Sequence, residues 1–167
     1  MDLVFLGLAF LGVGPNQPMT ASEVLKSART ILVVDFPSPD VPYALALAGF
    51  EVVVKGGPGP QEYSAYEVVD GKVETRHTGH PPHKADLVYA CRPLTEIPQI
   101  IAMAKALQAK TIWTQSGLRR AGIRDPKGCW LATGDLVVAR SMIQSAGLAF
   151  ITEPYIADLA RELWPAS

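Results

Sequence analysis

The chain has 167 residues, of which 49% are hydrophobic and 19% charged, with a formal net charge of -1. That is room for one domain with a two-layer or three-layer core, and too little for two domains of ordinary size. The balance lacks the basic excess of a nucleic-acid binder and the polarity of a disordered chain, so partners of extreme charge are not expected.

The opening "MDLVFLGLAFLGVGP" is apolar, but Asp2 is its only charge before Glu23 and no positive flank precedes it. The run is too short to span a bilayer, and no membrane or targeting role is expected. Residues 1–18 are expected to be an upstream extension outside the core, with 19–167 as the single domain. Met19 opens "MTASEVLKSARTILVV", where Thr20 or Ser22 can cap a short helix leading into the first strand. The two cysteines, Cys91 and Cys129, form no C-x-x-C pair. Their spacing predicts a reduced, cytoplasmic protein without a disulfide framework, and leaves a single bridge between them open.

From residue 20 onward, short apolar runs alternate with segments of helical spacing. The runs are "TILVVD", "FEVVVK", "DLVYAC", "KTIWTQ" and "LAFIT", apolar almost throughout, as strands buried on both faces are. The pattern predicts an α/β fold: a doubly wound, Rossmann-like, mostly parallel sheet of five strands, with helices on both faces. "YEVVDGKVETR" predicts a small hairpin insertion at the sheet's rim, because Asp70 and Gly71 suit the positive φ angles of a two-residue turn. Ile97, Ile100, Ile101, Ala104 and Leu107 share one helical stripe, with Thr95 as the expected N-cap and Pro98 in the first turn. Leu136, Ala139, Ile143 and Ala146 form another, stopped by Gly147, and "YIADLARELW" reads as a closing helix.

In a doubly wound sheet the ligand crevice lies beyond the carboxyl ends of the strands, where strand order reverses. The residues just after the apolar runs are therefore the candidates: Asp35, Phe36, Pro37 and Ser38, then Lys55, then Arg92 and Pro93, then Gln115, Ser116 and Gly117. Arg92 offers planar bidentate donors to phosphate, and Gly117 lets a backbone approach closely. The first turn, "DFPSP", contains no glycine, although glycines normally let a diphosphate reach the backbone amides. Lys55 stands where an NAD site would carry an acidic residue, which argues against NAD and tolerates a ligand with extra phosphate, such as a 3′-phosphorylated adenosine or NADP. Asp35 would repel a diphosphate unless Lys55 or Arg92 neutralised it.

Arg119, Arg120, Arg124 and Lys127 suit either a phosphate clamp or a solvated basic loop. His77, His80 and His83 lie in a Gly- and Pro-rich loop without a recognised ligand pattern, so no metal is expected. Neither a nucleophile elbow, a Walker loop nor a redox C-x-x-C is present, and no catalytic constellation emerges.

With these residues in view, the chain resembles the small stand-alone CoA-binding proteins, Rossmann-like relatives of the N-terminal domain of the succinyl-CoA synthetase α subunit. The resemblance covers about residues 28–163 and is best in "ADLVYACRPLTEIPQIIAMAKALQAKTIWTQSGL". That block is similar to the family's strand, Arg-containing turn, Pro-bearing helix and W-x-Q-x-G segment, with Gln108 where a turn usually has Gly. The ending "AGLAFITEPYIADLAREL" is similar to the family's closing strand and helix.

The resemblance implies a site for coenzyme A or an acyl-CoA along the strand ends, without a catalytic step. Asp35 to Ser38 would stand in the diphosphate turn, Lys55 near the adenosine end, Arg92 and Pro93 at the third strand, and Gln115 to Gly117 beyond the fourth. The family usually has Gly where this chain has Asp35, and a longer first helix than "DVPYALALAG" can make. Two other readings stand beside it. One is an NADP-linked reductase or epimerase, for which Tyr89, Tyr43 and Lys55 are the available parts. The other is an interaction module that has lost its nucleotide. The sequence leaves open a homodimer or an unidentified protein partner.

Overall fold

The computed structural model describes residues 18–36, 38–114 and 131–166. Helix α1 (Ala21–Ser27) starts at Thr20, whose hydroxyl accepts from the Glu23 amide while the Glu23 carboxylate accepts from the Thr20 amide. This reciprocal cap satisfies two amides that a short helix cannot pair internally. The chain then forms β1 (Thr30–Val34), α2 (Asp40–Leu47) and β2 (Glu51–Lys55). It continues through β3 (Tyr63–Val69), β4 (Lys72–His77) and β5 (Leu87–Ala90). After a 3-10 turn at Leu94–Glu96 come α3 (Ile97–Ala106), β6 (Thr111–Thr114), α4 (Thr133–Ser145), β7 (Ala149–Ile151) and α5 (Ile156–Leu163).

The sheet order is β4-β3-β2-β1-β5-β6-β7. The five expected runs are the five parallel strands. The strand count of five is corrected, because the hairpin joins the sheet and brings it to seven strands. β3 pairs antiparallel with β2 from Val52↔Tyr66 to Lys55↔Tyr63, which buries Tyr63 and Ala65 and covers the edge of β2. At the hairpin tip Asp70 and Gly71 both have positive φ, 51° and 76°, and Val69 pairs with Lys72. Two such residues match the twist of the strands they join.

Alternate residues of each parallel strand feed two cores. Ile31, Val33, Val52, Val54, Leu87, Tyr89 and Trp113 face α1, α2 and α5. Leu32, Val34, Val88, Ala90 and Ile112 face α3 and α4. Burial on both faces explains why these runs are apolar almost throughout. On α3, Ile97, Ile100, Ala104 and Leu107 of the expected stripe are buried, and Ile101 is half-buried at its margin. Its start differs: Thr95 lies within the 3-10 turn, and Glu96 is the residue that precedes the helix. Gly147 follows α4 at φ 81°, the left-handed stop that glycine supplies.

The amino ends of the central strands are tied by Asp86. Its Oδ2 accepts from the amides of Arg29 (2.8 Å) and Thr30 (2.9 Å), while its own amide donates to Thr30 O (2.8 Å). Burial disfavours the charged carboxyl, but the Thr30 and Arg29 amides, with Lys84 and Arg29 nearby, outweigh it and hold Asp86 below the usual carboxylate range. Asp86→Ala should lower stability by about 1–2 kcal/mol near neutral pH, read by denaturant unfolding. A depressed carboxyl contributes fully above its unfolded value, about pH 4, and loses that contribution as pH falls through the lower folded value. The gap between wild type and variant should therefore narrow on acidification.

Gln108 ends α3 at φ 60°, where a residue with a β-carbon is disfavoured. Gln108→Gly should raise stability by roughly 0.5–1 kcal/mol, seen as a higher thermal midpoint.

Candidate functional site

Strand β1 has β2 on one side and β5 on the other, and the chain leaves its carboxyl end toward α2. This is the reversal of strand order at which a doubly wound sheet opens a crevice. A cavity of about 460 Å³ lies there, lined by Val34, Asp35, Lys55, Gly56, Gly57, Pro58, Arg92, Glu96, Gln99, Ile100 and Met103. Its size falls within the range of small-molecule sites.

Each strand end contributes by a different local device. Asp35 adopts φ 62° as the chain turns out of β1, and its amide donates to Lys55 O at 3.3 Å, linking the ends of β1 and β2. Asp35 Oδ1 accepts from the Phe36 amide at 2.8 Å, and the Phe36 ring packs against the core on the α2 side. Ser38 O accepts from the Val41 amide at 3.4 Å as the chain enters α2. At the end of β2, Lys55 Nζ donates to Gly57 O at 2.6 Å. The following loop closes through Gly56 N to Glu62 O (2.9 Å) and Gly59 N to Glu62 Oε2 (2.7 Å). A β-carbon at Gly57 would meet the Glu62 carboxylate, so glycine suits the loop as it is folded.

Arg92 follows β5 and joins the two sides of the cavity. Its Nε and Nη2 each donate to Glu96 at 2.6 Å, and its Nη1 donates to Asp35 Oδ2 at 2.8 Å. Its hydrogen bonds to Glu96 and then to Asp35 raise the guanidinium's pKa further, so Arg92 is permanently charged. The Arg92 hydrogen bonds hold the Glu96 carboxyl below the usual range against the opposing effect of burial, with the Arg92 and Lys55 charges adding to the depression. Two carboxylates and two cations thus line one cavity, and their formal charges cancel.

Among the expected site residues, the fold brings Asp35, Lys55 and Arg92 to the cavity. Phe36 and Ser38 lie beside it in the first turn, and Pro93 is exposed at the start of the 3-10 turn, outside the lining. Pro37, Gln115, Ser116 and Gly117 lie outside the described residues, as do Arg119, Arg120, Arg124 and Lys127. Strand β6 ends at Thr114, whose buried hydroxyl has no hydrogen-bond partner among the described residues. Sequence reasoning missed Glu96, Gln99 and Met103. The available signal was the four-residue spacing of Arg92 and Glu96, which places opposite charges one helical turn apart.

Other candidates are placed elsewhere. Tyr89 is wholly buried in the sheet, and Tyr43 stands on the outer side of α2 with its ring 5.9 Å from that of Tyr66. Neither lines the cavity with Lys55. His77 Nε2 donates to Gln61 O at 3.0 Å and His80 Nδ1 to Pro81 O at 2.9 Å. The expectation of reduced cysteines is corrected at Cys91, which is disulfide-bonded. Cys129 lies outside the described residues. No described helix is long and apolar enough to cross a membrane.

The Arg92–Glu96 pair has a direct spectroscopic signature. In a carboxyl NMR titration Glu96 should titrate below the ordinary Glu value of about 4.3, and Arg92→Ala should move its midpoint back up. The ionic contribution to stability is complete above that ordinary value and fades as pH falls through the lower folded midpoint.

Comparison with known proteins places the fold and the family. The chain aligns with the crystal structure of Prb, a protein redesigned for binding, at a TM-score of 0.56 and 18% identity, covering 92% of this chain and 98% of that one. It also aligns with a Thermus thermophilus protein solved as cell-free ID.343, at a TM-score of 0.50 and 20% identity, covering 84% of this chain and 93% of that one. No curated protein matches the chain in sequence. A family model described as a CoA binding domain matches residues 59–153, more than half of the chain, and includes Arg92, Glu96 and the helix behind them. The chain belongs to this CoA binding domain family.

Proposed function

We propose that the protein binds coenzyme A or an acyl-CoA without transforming it, in the cavity at the carboxyl ends of β1, β2 and β5. The observation that carries this reading is the position of Arg92. It lies within the family match, at the reversal of strand order, and together with Lys55 it lines a cavity of suitable size. A CoA ligand combines phosphates with an apolar, flexible arm. Lys55 and Arg92 are the cations available to phosphate, while Val34, Ile100 and Met103 form an apolar wall for the rest. Both cations already have internal partners, so a phosphate has to compete with Gly57 O, Asp35 and Glu96 for them.

Thermal unfolding with CoA, acetyl-CoA, NAD and NADP tests the reading. A ligand present at 100 times its Kd adds about 2.7 kcal/mol of stability, a shift of several degrees for a domain of this size. CoA species should shift the midpoint and NAD should not. Arg92→Ala should weaken CoA binding by roughly tenfold or more, as expected when one charge-assisted phosphate contact is lost. A shift with NADP alone would favour a reductase, and a folded protein that responds to none of the four would leave the interaction module.

A further inference from the structure

The carboxylate of Asp35 is divided between two donors. Oδ1 accepts from the Phe36 amide and Oδ2 from Arg92 Nη1, both at 2.8 Å. A loop amide just past a strand end and a guanidinium edge are the donor types that hold a phosphate oxygen. We infer that the Asp35 carboxylate is an internal stand-in for a ligand phosphate, occupying the anion position between the Phe36 amide and Arg92, so that a phosphate binds there only by displacing it. Asp35 is then a specificity-determining residue. The inference deepens the proposed CoA reading and rests on it only for the identity of the ligand.

Three features of the site agree. Glu96 already takes the Nε and Nη2 side of Arg92, so Asp35 covers the Nη1 that an incoming anion would need. With Asp35 present the cavity's two carboxylates balance Lys55 and Arg92, and without it the lining is positive by one charge. The Asp35 side chain is half exposed, at 50%, and so has open solvent beside it into which to swing when a stronger anion arrives. Its backbone, at φ 62°, is one that glycine adopts freely. The position therefore tolerates loss of the side chain, and what the aspartate adds is the carboxylate. A bare diphosphate must displace that carboxylate with phosphate contacts alone. A ligand that also covers Val34, Ile100 and Met103 brings apolar contact to the same exchange.

The test uses inorganic pyrophosphate as the probe, with calorimetry on the full chain as wild type, Asp35→Asn, Asp35→Gly and Glu74→Gln. Glu74 lies on exposed β4, remote from the cavity lining, and its variant changes net charge by the same amount as either Asp35 variant. Both Asp35 variants should bind pyrophosphate about tenfold more tightly than wild type, the scale of one like charge removed at close range near a surface. Glu74→Gln should match wild type. Circular dichroism confirms folding, and the glycine variant suits the backbone at this position. Unchanged or weaker binding by the folded Asp35 variants, or no pyrophosphate binding by any form, overturns the inference. An equal gain from Glu74→Gln overturns it too, since the effect would then be one of net charge. CoA titrated in parallel separates the two proposals. Tighter pyrophosphate without any CoA binding leaves the stand-in and removes the CoA reading, while CoA binding to wild type without a pyrophosphate gain does the reverse.

Discussion

Everything at the candidate site follows from the position of β1 in the sheet. It is paired on both sides and covered on both faces, so its five residues, Thr30 to Val34, have no freedom except at the ends. Asp86 fastens the amino end to β5. At the carboxyl end the chain must leave the sheet between two neighbours whose own ends stand beside it, and the gap so created is the cavity. Asp35, Lys55 and Arg92 come from distant stretches of sequence, and the parallel register brings them together: Val34 lies opposite Lys55 on one side and Ala90 on the other.

The charges in that gap are arranged against one another. A site built only to attract anions would leave its cations facing solvent, where their field could act at a distance. Here Arg92 is bound by Glu96 and Asp35, and Lys55 is turned to a backbone carbonyl. The family match begins at residue 59 and so includes Arg92 and Glu96 but neither Asp35 nor Lys55. The guanidinium and Glu96 lie within the match, and Asp35, the second carboxylate on that guanidinium, lies outside it.

The parallel part of the fold was legible because burial on both faces leaves a plain trace, an apolar residue at every position of "ILVV" and "LVYA". Thr20, Asp70, Gly71 and Gly147 were legible because each performs a local task that few residue types can do. The hairpin's place in the sheet was not, since β4 is exposed along almost its whole length and resembles a free ribbon. Only the pairing of Tyr63 and Ala65 against β2 shows that its partner strand extends the sheet. At the site, Asp35 and Arg92 could be named from their places after the strands, but their mutual bond spans 57 positions and no local pattern announces it. Glu96 escaped notice because Thr95 looked like the start of a helix, whereas the chain makes a 3-10 turn there that brings Glu96 back onto Arg92.

The added hairpin also decides how the sheet meets its surroundings. Had the sheet stopped at β2, its border would be "EVVVK", a row of valines with open amides and carbonyls of the kind that recruits strands from other molecules. The hairpin moves the border outward to "KVETRH", where Lys72, Glu74 and Arg76 would bring charge into any such contact. On the opposite side β7 is only three residues long and offers little length to pair with. The described sheet is thus bordered by charge on one side and brevity on the other, two features that disfavour edge-to-edge pairing of strands.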